Sequence, residues 1–383
     1  MTLWSANLAL MLENNTVTAR RLASQAAEAG RSLGLLDLEM LALAIEGLAL
    51  VGEGEIADGM RRLDEAATAA VAGEMTDRSA VWTTLCSLMT ACDRIRDYDR
   101  AVQWCGRVKE LARQWRFEAL FTPCRPAYAS VLMWRGEWAE AEVQLLAAHR
   151  ECLEMRPPMV VEGIVRLAEL RWRQGRWDEA EASFGEVKGE GLALPGRAEL
   201  ALSQGDTATS IDLLDRYLRQ IPAEDRMERA GALELMVRAL AAAGELDRAE
   251  VPLTELRQIV DRVVTDPLKA SANFATGLLA AARGDAQGAR ESLEDAVDLF
   301  ERHRAPFEAA RVRIELAKAL LGAGRQVDAG PEAAMALQAF RRVGAAKEAE
   351  RASEFLRNWT PRRNPRRPRT APVSRHERLR CWR

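Results

Sequence analysis

The chain has 383 residues, 48% hydrophobic but only 5% aromatic, with a formal net charge of −3. It holds no uncharged apolar stretch long enough to cross a bilayer, and the start MTLWSANLALMLENN lacks the basic n-region and cleavage site of a secretory signal. A soluble cytoplasmic protein with no membrane partner is expected.

From the first helical segment onward, one short turn recurs nine times. It is a small or flexible residue, usually Gly followed by a charge, with another small residue five positions later. The turn starts at Asn14, Gly54, Arg96, Gly136, Gly175, Gly205, Gly244, Gly284 and Gly324. It closes at Ala19, Gly59, Ala101, Ala141, Ala180, Ser210, Ala249, Ala289 and Ala329. The intervals between starts are 40, 42, 40, 39, 30, 39, 40 and 40 residues. A period in this range is the mark of a helix-turn-helix unit stacked into a solenoid, with helices longer than those of the 34-residue tetratricopeptide unit. The chemistry agrees with that reading, because Gly accepts the left-handed conformation that ends a helix and a small residue lets two antiparallel helices approach. Later in the chain, Leu293, Ala296, Val297 and Phe300 form one apolar face. In the next helix Ala309, Val312, Leu316 and Leu320 make one stripe, and Ala310, Ile314, Ala317 and Leu321 make another beside it. Two apolar sides predict burial against two neighbours.

The fold class expected is therefore all-α, a tetratricopeptide-like solenoid of about nine units over residues 1–356. The short interval of 30 residues falls where Gly185, Gly189, Gly191, Pro195 and Gly196 crowd the space of one helix. Short helices are predicted on both sides, and a discontinuity at 185–196. Residues 357–383 differ in kind: they carry ten Arg, four Pro and the single acid Glu377, against 44 basic and 56 acidic residues in the rest. Such a tail cannot form a stacked helix pair and is expected to be disordered.

Chemistry-bearing patterns are few. The six cysteines, Cys86, Cys92, Cys105, Cys124, Cys152 and Cys381, form no CxxC pair, and His149 with Cys152 supplies only two ligands, short of a structural zinc site. GEGEIA at 52–57 matches a relaxed dinucleotide fingerprint, yet it follows a helical run and its glutamates would repel a pyrophosphate. No cofactor, metal or catalytic residue is assigned. Seven of the ten tryptophans, however, lie between Trp82 and Trp177 with arginines among them. Trp134, Trp138, Trp172, Trp177, Arg135, Arg173 and Arg176 make the candidate partner-binding strip, able to hold an extended peptide or a flat anion by stacking and charge. The alternative is that these rings fill space between long helices.

Several segments resemble a known family. DLEMLALAIEGLALVGEGEIADGMRRLDEA (37–66), RDYDRAVQWCGRV (96–108), VLMWRGEWAEAE (131–142) and DAVDLFERHRAPFEAARVRIELAKALLGAGR (295–325) look like the helical-repeat region of LuxR-type bacterial transcriptional regulators. LQAFRRVGAAKEAERA (337–352) is similar to the last helix before their DNA-binding domain. The resemblance implies a region that senses a ligand or partner protein, ahead of a helix-turn-helix that binds promoters. Val373, Ser374 and Glu377 resemble the opening L-[ST]-x-x-E of that domain, but the sequence stops six residues after Glu377, before a recognition helix. The expectation is a non-enzymatic sensor and interaction region binding a protein or small-molecule ligand, without sequence-specific DNA recognition, its tail capable only of weak, non-specific nucleic-acid binding. A free-standing scaffold unrelated to transcription is the alternative.

Overall fold

The computed structural model describes residues 2–11, 15–115, 124–155, 160–187, 189–263 and 265–359. Among these residues the chain forms nineteen α-helices and one 3-10 turn, with no strand. The first four helix pairs are α1 (Thr2–Met11) with α2 (Thr16–Leu33), α3 (Leu36–Glu53) with α4 (Ile56–Ala72), α5 (Arg78–Ile95) with α6 (Tyr98–Gln114), and α7 (Arg125–Arg135) with α8 (Trp138–Met155). The fifth and sixth are α9 (Val160–Gln174) with α10 (Trp177–Glu186) and α11 (Leu194–Ser203) with α12 (Thr207–Gln220). Then come α13 (Arg226–Ala242) with α14 (Leu246–Val263), α15 (Asp266–Ala282) with α16 (Ala286–Arg302), and α17 (Pro306–Gly322) with α18 (Gln326–Val343). A closing helix, α19 (Ala346–Asn358), covers the last pair.

The recurrent turn does what its residues require. Its seven glycines from Gly54 to Gly324 have φ between 74° and 89°, where an L side chain would be strained. The eight closing residues that carry a side chain, from Ala19 to Ala329, are each 0% exposed. Gly59 is tighter still, since a Cβ there would lie 2.7 Å from the carbonyl oxygen of Gly47 on α3. On α16 the predicted face is buried; on α17 both stripes are covered, Ile314 and Leu321 partly.

The array then winds tightly enough to touch itself. The turn edges of units two to four rest on the opposite edge of the unit five places later. Arg226 at the start of α13 donates to the Glu53 carbonyl at 2.5 Å, and Arg262 of α14 pairs with Glu55. Arg96 Nη1 donates to Ser271 Oγ on α15 at 2.6 Å, and Trp134 Nε1 donates to the His303 carbonyl at 3.1 Å. This closure gives identical turns unequal surroundings. A Cβ on Gly136 would meet Val343 at 2.7 Å and Pro306 at 3.0 Å, and one on Gly175 would meet the Lys347 backbone nitrogen at 3.0 Å. Around Gly205, Gly244, Gly284 and Gly324 the space is open. Gly284→Ala should therefore cost only the left-handed strain, about 1 kcal/mol, while Gly136→Ala adds overpacking for a total of about 3 kcal/mol. Urea denaturation of the two variants side by side measures that difference; equal losses would mean the edges do not meet.

The short interval is met by two helices of 10 residues each, α10 and α11, joined through the 3-10 turn Gly191–Ala193. Gly196 is pressed against Phe184, whose ring would lie 2.5 Å from an added Cβ. Phe184, Val187, Ala193 and Leu200 belong to a small apolar cluster of their own. Short helices bury little surface, so limited proteolysis should cut within 185–196 before any other site in residues 20–350. Protection there, with earlier cleavage elsewhere, would remove the weak joint.

Two expectations change at the C-terminal end. Segment 337–352 is not one helix, because Gly344 at φ 88° ends α18 and the chain turns into α19. The folded body also runs past 356: α19 continues to Asn358, and Trp359 packs on Gly330 and donates to the Gln326 carbonyl at 3.1 Å. Residues 360–383, the rest of the basic tail, lie outside the described residues.

Candidate functional site: a charged axial channel

The inner wall of the superhelix is built by the first helix of each unit from α5 to α17. Two cavities run end to end along α11, α13, α15 and α17. One of about 320 Å³ opens among their N-terminal halves, and one of about 450 Å³ among their C-terminal halves. They share Trp172, Glu199, Phe274 and Arg311, which form the waist between them.

Charges of both signs line this channel, and nearly every one is paired. At the waist Glu199 accepts two bonds from Arg238, both 2.7 Å, and a third from Arg311 at 3.3 Å. Glu308 joins Arg173 at 2.9 Å and Arg311 at 3.0 Å. Toward the first cavity Arg166 holds Asp93 at 2.8 Å and Glu169 at 3.1 Å. Flat guanidinium groups also lie over rings: Arg311 is within 5.8 Å of Trp172, Phe274 and Phe307, and Arg96 is 5.4 Å from Trp134. Arg suits such a wall because its weakly hydrated plane can pair with a carboxylate at its edge and stack on its face.

Burial and charge pull the carboxylates in different directions. Burial alone would raise Glu308, but the Arg173 and Arg311 charges outweigh it and hold the group at about 2. Glu199 is lowered for the same reason, burial opposing and Arg238 with Arg311 prevailing. In Glu234 and Asp93 burial wins, and both are raised despite Arg238 and Arg166 nearby. The channel thus contains firmly ionised acids beside others that protonate more readily.

The seven residues of the expected strip are divided by the fold. Trp134, Trp172 and Arg173 line the channel. Trp138 does not: it is 3% exposed, packs edge-on against Phe307 at 5.3 Å and donates from Nε1 to the Met133 carbonyl at 2.8 Å. Trp177 lies apart, beneath Lys347 and Arg351 of α19, and so the shared repeat position of Trp138 and Trp177 does not place them together. Arg135 pairs with Asp99, and Arg176 with Glu142 and Glu179. No continuous exposed strip results, because packing against α17–α19 covers some of these rings and leaves others at the edge. The side chain of Cys152 lies outside the described residues; among those described, no three His, Cys, Asp or Glu side chains are grouped for a metal.

Sequence reasoning passed over Glu199, Arg238, Glu308 and Arg311. A faint signal was present. Helix α13 is apolar around much of its circumference yet carries Glu228, Glu234 and Arg238 in an otherwise covered element.

No protein-family model matches the chain, and no curated protein sequence matches it. Solved structures do. The apo form of the quorum sensor NprR from B. thuringiensis aligns with a TM-score of 0.51 at 12% identity, over 88% of this chain and 97% of that one. The APC/C hetero-tetramer Cut9-Hcn1 aligns with a TM-score of 0.54 at 13% identity, over 93% of this chain and 75% of that one. The fold is a tetratricopeptide-like helical repeat. At such low identity the likeness speaks for architecture alone. No helix among the described residues is long and apolar enough to cross a membrane.

Proposed function

We propose that this chain is the non-enzymatic sensor and interaction region of a LuxR-type transcriptional regulator, working in the cytoplasm. It takes a segment of a partner protein, or a small ligand of similar polarity, into the axial channel. The observation that carries the proposal is the channel wall itself. A repeat array needs only an apolar seam to stack, and burying this many charges brings a desolvation cost that stacking alone does not require. Paired guanidinium and carboxylate groups beside Trp134, Trp172 and Phe274 offer bonds and stacking faces to a polar, extended ligand. The segments that resemble LuxR-type regulators supply the sensing context, and the repeat architecture shared with a quorum sensor is compatible with it. The second reading is a free-standing scaffold, and the fold shared with the hetero-tetramer Cut9-Hcn1 is compatible with it.

Linear peptides selected on the purified chain by display provide the test of the channel, with affinity then measured calorimetrically. Arg96→Gln, which removes a charge from the wall, should weaken one-to-one binding at least tenfold, whereas Trp177→Ala should leave it unchanged. Binding indifferent to Arg96→Gln, with the fold intact by circular dichroism, would move the site elsewhere. The regulator reading has its own check in the coding DNA beyond codon 377: a helix-turn-helix in another frame supports it, and none favours the scaffold.

On duplex DNA of several sequences the chain should bind weakly, without preference, and with an affinity that falls steeply as salt rises. Deletion from residue 360, which leaves the docked Trp359 in place, should abolish this binding and keep the helical spectrum. Tight binding to one sequence that survives the deletion would overturn the assignment of DNA contact to the tail.

A further inference from the structure

Two cysteines far apart in sequence meet at the junction of the third and fourth units. Cys86 lies in the middle of α5, and Cys124 stands immediately before α7; their sulfurs are 3.4 Å apart. Cys86 is half-buried and Cys124 is buried. We propose that Cys86 and Cys124 are a redox-modification site, joined as a disulfide by a hydroperoxide.

The chemistry balances in two steps. The sulfur of Cys86, the less buried residue of the two, attacks one peroxide oxygen; the O–O bond breaks, water leaves, and Cys86 becomes a sulfenic acid. The Cys124 sulfur then attacks the Cys86 sulfur, the S–S bond forms as the S–O bond breaks, and the departing hydroxide leaves as water with the Cys124 proton. Two thiols lose two electrons and two hydrogens, and hydrogen peroxide becomes two waters. Burial pushes the Cys86 thiol up, which keeps the thiolate scarce and the first step slow. In a reducing cytoplasm the link would be reversible, the usual condition of an intracellular sensing disulfide.

The link would have a structural consequence. It links positions 38 apart in sequence and ties α5 to the start of α7. Those helices carry Arg94 and Trp134 of the channel wall, and Arg96 ends α5, so oxidation would fix the spacing of two helices that face the channel.

The experiment uses the full chain, treated with excess hydrogen peroxide, alkylated, digested and analysed by mass spectrometry without reduction. The expected product is a linked pair of peptides holding Cys86 and Cys124, two hydrogens lighter than their sum, with a melting temperature several degrees above that of the reduced chain. Dithiothreitol should reverse both changes, and Cys86→Ser should prevent both. Full alkylation of Cys86 and Cys124 after treatment would overturn the proposal. So would a dominant link between either and another cysteine, or conversion of Cys86 to sulfinic acid without a link. Because the peptide map is read on the unmutated chain, the result does not depend on a variant that folds.

Discussion

Trp138→Ala should lower the unfolding free energy by about 4 kcal/mol, the range for removing a buried aromatic ring. The ring is enclosed among Phe307, Phe340 and Leu145, and its indole N–H is satisfied within the core. Truncation leaves a cavity that the long helices around it cannot close, while the Met133 carbonyl keeps its bond from the Gly136 N–H. Trp177→Ala supplies the contrast. That ring is only partly buried, under two flexible cations, and its loss should cost about 1 kcal/mol or less. Urea denaturation followed by circular dichroism separates the two. If Trp138→Ala lost under 1 kcal/mol while weakening a partner, the ring would belong to a binding surface.

Glu199→Ala should cost about 3–5 kcal/mol, because it leaves two buried arginines facing a missing carboxylate. Arg238 would lose both its short bonds, and Arg311 would retain only Glu308. Replacing Glu199 and Arg238 together with methionines should recover much of that loss, since the uncompensated charge and not the lost bond dominates. A double variant as unstable as Glu199→Ala would refute this account. The same cluster sets a pH limb. A carboxyl held at about 2 in the folded chain, against its ordinary 4.5, contributes stability that is complete above 4.5 and lost as pH falls toward 2. For Glu308 the full difference is worth about 3 kcal/mol at most. Asp93 and Glu234 act the other way, their raised values favouring the folded chain as they take up protons above the unfolded range. Denaturation midpoints for Glu308→Gln should therefore fall less steeply than those of the parent between pH 4.5 and 2. Parallel curves would show that Glu308 is not held by Arg173 and Arg311.

Local chemistry made most of the secondary structure legible. The turn, which starts at Gly in seven of its nine occurrences and closes at a small residue, located the helix pairs, because left-handed φ and close helix approach restrict those positions wherever the unit sits. The crowded segment from Gly185 to Gly196 announced two short helices for the same reason. The division at Gly344 was missed although Ala349 stands at the same offset, because this turn falls only half a period after Gly324, and Val343 and Ala345 disguise the cap. The candidate site was legible only in fragments. Trp134, Trp172 and Arg173 were picked out by composition, but Trp138 shares its repeat position with Trp177 and has a different fate.

The sequence by itself determined the unit, its period and its turns, because these depend on backbone conformation and on neighbours within one repeat. Only the tertiary structure decided that unit two rests on unit seven and unit four on unit nine. That contact depends on the small rotation from each unit to the next, summed over five units, and no single repeat encodes it. From the winding follow the unequal crowding of Gly136 and Gly284, the burial of Trp138, and the meeting of Glu199, Arg238, Glu308 and Arg311 at the axis. Glu199 and Arg238 lie on the stacked first helices of neighbouring units, but Glu308 and Arg311 on α17 have no local reason to face them until the superhelix winds round.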